Sequence, residues 1–285
     1  MLELTAFAIF FLAVSRHRPN GSSTSPLDGA KRRFDPWIWV IAAASTGLLF
    51  ALIANLATGF YLALKGTNPA FPHVFDQRYL VLVAWGFLVP FVWGFSAKWM
   101  GIFLGLKTMR PRLLLTAVAI NFAGTILTFM GSGSRATGLF VLSTALAIAA
   151  LRMFERAQRE AKTRGVDRSF SYFIRMAYGW LMVAALLGVV AARWDTSGGI
   201  WGASRHALTV GFVAVMVLSV GQRILPAFGG MRLLWSTRLM LTGLALLVTG
   251  CTMRVSCEIV AYHTRATLIG LGLCCPLQPC WSWGA

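Results

Sequence analysis

The 285-residue chain is 57% hydrophobic and 12% charged, with a formal net charge of +17 and a mean hydropathy of +0.69. Apolar runs this long exceed what a soluble core helix needs, so the composition excludes an ordinary water-soluble domain and points to a polytopic membrane protein. The 26 Lys and Arg residues are spread over short segments between apolar runs, which argues against nucleic acid and for the lipid bilayer as the partner.

Leu2 to Val14 opens the chain as an apolar run of about thirteen residues, short for a span. Its positive charge follows the run and no A-x-A-like site succeeds it, so it reads as a helix truncated at its start and not as a signal peptide. Ser15 to Pro36 has linker composition and an orienting cluster of Arg16, Arg18, Lys31, Arg32 and Arg33. Seven further spans follow: Trp37 to Leu64, Tyr79 to Leu104, Leu113 to Met130, Ala136 to Leu151, Phe173 to Ala192, His206 to Pro226, and Leu239 to Met253. Ser256 to Cys275 is ambiguous, being interrupted by His263, Thr264 and Arg265. The expectation is an all-α transmembrane bundle of eight to nine helices over residues 1–262. Residues 263–285, ending in CCPLQPCWSWGA, read as a tail outside it.

The odd-numbered loops, with Arg223 counted in the seventh, hold 17 Lys and Arg against 6 in the even-numbered ones. Cytoplasmic loops carry the excess of basic residues, so the alternation predicts an outer amino terminus and tests the helix count as well. Lys98 and Arg175 fall near cytoplasmic helix ends, where long side chains snorkel.

Lys98-Trp-Met-Gly-Ile-Phe-Leu-Gly105 matches Arg223-Ile-Leu-Pro-Ala-Phe-Gly-Gly230 as basic-x-Met/Leu-x-x-Phe-x-Gly. With Arg78-Tyr79 set against Arg205-His206, allowing a two-residue slip, the match suggests repeat units around 79–105 and 206–230, four helices apart. The competing reading is that basic residues and glycines recur at helix ends.

Four histidines are the main chemical candidates. His17 reads as a solvated loop residue. His73 and His206, with His263, fall on the outer side of the predicted topology. Neutral imidazole ligates haem iron and copper, and an ionisable group at a bundle mouth needs a partner. His206 is the leading candidate ligand; Thr209, at helical spacing, supports it from the same face. A hydrogen bond to a neighbouring helix is the alternative for His206. Asn55, Asn121, Thr125, Thr128 and Gln222 read as interhelical hydrogen-bonding groups. Glu258 suits a proton path on a doubtful helix. The five cysteines all lie in the last 35 residues with no C-x-x-C pair, and read as buried thiols more readily than as copper ligands. No nucleophile–base pair, phosphate loop or carboxylate pair is visible, so no turnover chemistry is legible.

His206-Ala-Leu-Thr-Val-Gly-Phe, with Met216 and Arg223 beyond it, resembles the signature of the NnrS family of haem- and copper-containing membrane proteins of the nitrosative-stress response. Tyr79 to Leu106, with Gly86, Pro90, Gly94 and Lys98, resembles an earlier helix of that family, and the resemblance covers most of Phe34 to Tyr262. It implies haem and copper as cofactors, a small uncharged gas as ligand, and a bacterial inner-membrane location, with His206 carried over by motif. The family's histidine-rich W-H-x-H-E-type helix is absent here, which makes a cofactor-free chain the competing expectation. A metal-free membrane carrier or structural membrane protein is the second function class.

Overall fold

The computed structural model describes residues 2–16, 35–65, 73–158, 169–195, 198–228 and 236–270. Among them every regular element is helical: α1 (Leu2–Arg16), α2 (Pro36–Lys65), α3 (His73–Val81), the π segment π1 (Leu82–Leu88), α4 (Val89–Phe103), α5 (Pro111–Phe129), α6 (Gly133–Leu151), α7 (Phe170–Trp194), α8 (Gly199–His206), the π segment π2 (Ala207–Ala214), α9 (Val215–Phe228) and α10 (Thr237–Gly270). The segments α3–π1–α4 and α8–π2–α9 are each one continuous helix, so the described residues form eight helical rods.

Seven of these rods contain stretches long and apolar enough to cross a membrane, from Pro36–Lys65 to Arg238–Ala261. A helix rising 1.5 Å per residue needs about 20 residues to cross the hydrocarbon core, and all seven stretches reach or approach that length. Large apolar side chains stand exposed along them, among them Phe50, Tyr61, Leu64, Ile126, Met130, Val217 and Leu246. In water such a surface would aggregate; in hydrocarbon it is solvated. The chain is an integral membrane protein with an all-α fold.

Three boundaries differ from the expectations, each for a local reason. The third rod begins at His73, six residues before Tyr79, because Pro72 precedes a first turn that carries Asp76 near the positive helix N-terminus. The seventh begins at Gly199 and not at His206. The eighth runs unbroken from Thr237 to Gly270, taking in Ser256 to Gly270 of the ambiguous stretch and with it the first residues of the expected tail. Between Gly250 and Gly270 there is no Gly or Pro, and a His-Thr-Arg step leaves every backbone hydrogen bond intact. His17 and most of the loops at 17–34 and 159–168 lie outside the described residues.

The chain forms two compact units, Met1–Gly94 and Phe95–Ala285. In the first, α2 buries the stripe Val40, Ala44, Gly47 and Ala51, spaced three and four residues apart as a helix face requires. Gly47 meets the π1 backbone so closely that a Cβ there would overlap the Gly86 carbonyl. A Cβ on Gly94 would lie 2.6 Å from Ile41 Cδ1. Small residues thus let helices approach where hydrocarbon solvent supplies no hydrophobic drive between them.

In the second unit α5 and α6 form a hairpin through Gly131, which has a φ of 82°. Ala117, Asn121, Gly124 and Thr125 of α5 are buried, as are Ala136, Phe140, Ser143 and Ala147 of α6. A Cβ on Gly124 would stand 2.8 Å from the Phe140 ring. Two buried hydroxyls are satisfied within their own helices: Thr125 donates to Asn121 O at 3.1 Å and Ser143 to Phe140 O at 3.0 Å. Arg110 N donates to Ala150 O at 3.0 Å and Gln158 N to Gly105 O at 2.9 Å, tying the segments beyond α4 and α6 together. Arg175 is half-buried and donates to Glu155 O at 3.0 Å, so its head group reaches the segment that follows α6. α7 is central, burying Ile174, Tyr178, Leu181, Ala185 and Gly188. The Tyr178 hydroxyl donates to Ser96 Oγ at 2.8 Å, and its ring packs edge-on against Phe212 of π2 at 5.4 Å.

Candidate functional site around His206

The site begins with Asp195, which ends α7 and anchors the next helix. Its Oδ1 accepts from Gly198 N at 2.7 Å and its Oδ2 from Trp201 N at 2.8 Å, satisfying amides that the start of a helix leaves without intrahelical partners. Gly198, at φ 81°, turns the chain into α8. Ser204 then donates to Ala184 O at 2.8 Å, fastening α8 to α7. His206 is consequently the last residue of an eight-residue helical segment, roughly 10 Å along the axis from Gly199 at 1.5 Å per residue. It lies inside the helix and not at its mouth.

The imidazole is fixed from one side. Its Nδ1 lies 2.9 Å from Gly202 O, and a carbonyl only accepts, so Nδ1 carries the proton in the neutral ring and Nε2 keeps its lone pair. Glu258 of α10 brings Oε2 within 3.3 Å of the same Nδ1, while its Oε1 pairs with Arg254 Nη2 at 3.0 Å. The Nδ1 proton is directed at Gly202, so Glu258 Oε2 is a close charge partner without a hydrogen bond, and it is buried. Gly202 makes this approach available: a Cβ there would stand 3.2 Å from Oε2 and 3.3 Å from Oε1. Cys251, two turns earlier on the same α10 face, points its thiol at His206 O at 3.7 Å. Leu244, Cys251 and Val255 are buried along this face, and Glu258 shares it.

Beyond His206 the helix changes pitch. π2 presents Gly211 to α7, where a Cβ would lie 2.6 Å from Trp180 Cγ. Thr209, expected to support His206 from the bundle interior, is exposed and donates to Arg205 O at 2.8 Å. The expectation assumed an α period across Ala207 to Ala214, which is a π segment. His73 is the first residue of α3, in the first unit, and His263 lies on α10; the side chains of both fall outside the described part. Cys251 is buried and Cys257 exposed, so these two do not share a ligand face; Cys274, Cys275 and Cys280 lie outside the described residues. Among the described residues no three His, Cys, Asp or Glu side chains converge as a metal-ion shell.

Sequence reasoning missed the Glu258–Arg254 pair as His206's partner. The signal was present as the four-residue spacing of Arg254 and Glu258 on one helix, but assigning the residues to a broken, doubtful helix hid it.

A family model described as Domain of unknown function (DUF8744) matches residues 78–274, which contain the whole site. No curated protein and no solved structure matches the chain.

Proposed function

The chain belongs to the family described as Domain of unknown function (DUF8744), and from that premise we propose that it is an NnrS-like haem-binding protein of the nitric-oxide stress response, in which His206 would hold the iron. One observation carries the reading: Nδ1 is committed to Gly202 O, with Glu258 beside it, which leaves Nε2 as the free donor atom. Metal-bound histidines are held in this way, the second nitrogen donating to a carbonyl or carboxylate that orients the ring. Haem iron is held in many proteins by one protein imidazole, so a single half-buried histidine would meet that need. Haem iron, when bound, would supply a site for a small neutral gas such as nitric oxide. The residues described do not suit copper, for which the donor set around His206 is too small; a copper site would need His73, His263 or residues outside the described part. The charge alternation supports a bacterial inner-membrane orientation with the amino terminus outside and the His206 end of the rod toward that face.

The test is the visible spectrum and metal content of the purified full chain and of His206→Ala. A Soret band with stoichiometric iron that His206→Ala removes supports the proposal; identical spectra for both proteins contradict it.

The second reading, a metal-free carrier, is favoured by one feature: His206, Glu258 and Arg254 line up as ionisable groups on membrane-spanning helices, an arrangement found along proton and substrate paths. Substrate-dependent proton movement in vesicles containing metal-free protein would select it.

A further inference from the structure

Glu258 is out of place by the usual standards of a membrane helix. It stands on the one face of α10 that packs inward, its Oε2 is buried without a donor, and a glycine on the facing helix makes room for it. A buried carboxylate oxygen without a hydrogen bond costs stability, and replacing it with an apolar side chain would relieve that cost. Packing therefore does not account for it. The charged groups in contact with this end of His206 are Glu258 and, through it, Arg254; Cys251 reaches the His206 carbonyl, and Arg205 donates to Trp201 O at 3.3 Å on its own helix.

We infer that Glu258 is a positioning residue: held by Arg254 and admitted by Gly202, it stabilises the Nδ1–H form of His206 and thereby presents Nε2 to its ligand as a bare lone pair of increased donor strength. The Gly202 carbonyl alone provides one acceptor for Nδ1–H. The carboxylate, 3.3 Å away, adds the field of a full negative charge at the same nitrogen. That field favours the proton on Nδ1 over Nε2 and makes the ring a better donor to an electron-poor centre, as carboxylates beside metal-bound histidines do. Arg254 holds the carboxylate in place at 3.0 Å. The ligand class is a metal centre that accepts neutral imidazole. The inference rests on the proposed function only for the identity of that ligand, since the tautomer is a property of the protein without it.

The experiment uses the full chain with ring-¹⁵N-labelled histidine, in detergent and without cofactor, with His206→Gln as the control that assigns the His206 signals. Nitrogen–proton correlations through the ring carbons report which nitrogen carries the proton. The expected result is a single His206 species protonated on Nδ1 with Nε2 bare. In Glu258→Ala it becomes a mixture containing the Nε2–H form. Gly202→Ala, which keeps the carboxylate but pushes it from the ring, produces the same mixture and preserves the test if Glu258→Ala does not fold. Glu258→Asp restores a majority of the Nδ1–H form. A wild-type His206 protonated on Nε2 overturns the inference, as does an unchanged single species in Glu258→Ala or in Gly202→Ala. The two proposals fail separately. An Nδ1–H signal that responds to Glu258 in a protein that never takes up haem removes the function and keeps the positioning role; haem lost in His206→Ala with an unresponsive tautomer does the reverse.

Discussion

Gly86 and Gly211 are each the fifth residue of a π segment inside a long membrane helix, and each is where its helix meets a neighbour at closest range. Gly86 takes the backbone of α2 at Gly47, and Gly211 takes the Trp180 ring of α7. The register that aligns these glycines also aligns Leu82 with Ala207 as the first residues of π1 and π2, and Lys98 with Arg223. Both basic residues lie over an aromatic ring, Lys98 over Trp99 at 5.1 Å and Arg223 over Phe103 at 5.5 Å. The register of the basic-x-Met/Leu-x-x-Phe-x-Gly motif thus also sets the two π segments against each other, a backbone feature that the motif does not contain.

The glycine packing predicts a matched pair of defects. Gly211→Ala places a methyl group 2.6 Å from Trp180 Cγ and Gly47→Ala places one against a carbonyl, so each should cost roughly 1–3 kcal/mol of overpacking strain. Trp180→Leu should recover part of the Gly211→Ala loss, because a flexible side chain yields where an indole cannot. Gly59→Ala, on the same α2 helix with nothing within 4 Å of its Cβ position, should be neutral. Thermal unfolding in detergent reads all four.

Asp195 predicts a local effect. Asp195→Ala removes acceptors for two backbone amides at the start of α8, with a cost of about 1–3 kcal/mol for hydrogen bonds to a charged group. Hydrogen exchange should accelerate at Gly198 and Trp201 while the α5–α6 hairpin keeps its protection. Loss of protection across the second unit would mean that Asp195 anchors more than one helix start.

The lateral fold was legible in the sequence because hydrocarbon length and basic loops act over single segments. Each of the seven later apolar runs became a rod, with ends shifted by a few residues except in α10, which runs on past Met253 to Gly270. What escaped had other causes. The start of α8 is set nearby, by the Asp195 carboxylate that ends the preceding helix and accepts from Gly198 N and Trp201 N, but the apolar run by which spans are counted does not contain it. The position of Thr209 depends on a π segment that has no composition of its own. The partner of His206 is 52 positions away on a helix whose polar interruption looked like a break, although His, Thr and Arg leave a backbone ladder intact.

The charge alternation predicts topology directly. In a background lacking the native cysteines, Thr163→Cys in intact cells should resist an impermeant thiol reagent and Ser197→Cys should react. Reversed reactivity would turn the orientation over and move the His206 end of the rod to the cytoplasmic face.

The buried tyrosine predicts a coupling energy. Tyr178→Phe removes the donor to Ser96, and Ser96→Ala removes the acceptor; each should cost about 1 kcal/mol or slightly more. The double variant should cost less than the sum, since removing both ends leaves no unpaired hydroxyl.

The most direct measurement of the central claim is the absorbance spectrum of the purified full chain, titrated with haem, beside His206→Ala and Thr209→Ala prepared identically. With Nε2 of His206 as the ligand, wild type and Thr209→Ala should saturate at one haem per chain with the same Soret maximum, because the Thr209 hydroxyl is bonded to Arg205 O and exposed. His206→Ala should lose that band while keeping its helical content. Equal haem binding by His206→Ala, or no binding by any of the three, would contradict the assignment of His206 as a haem ligand.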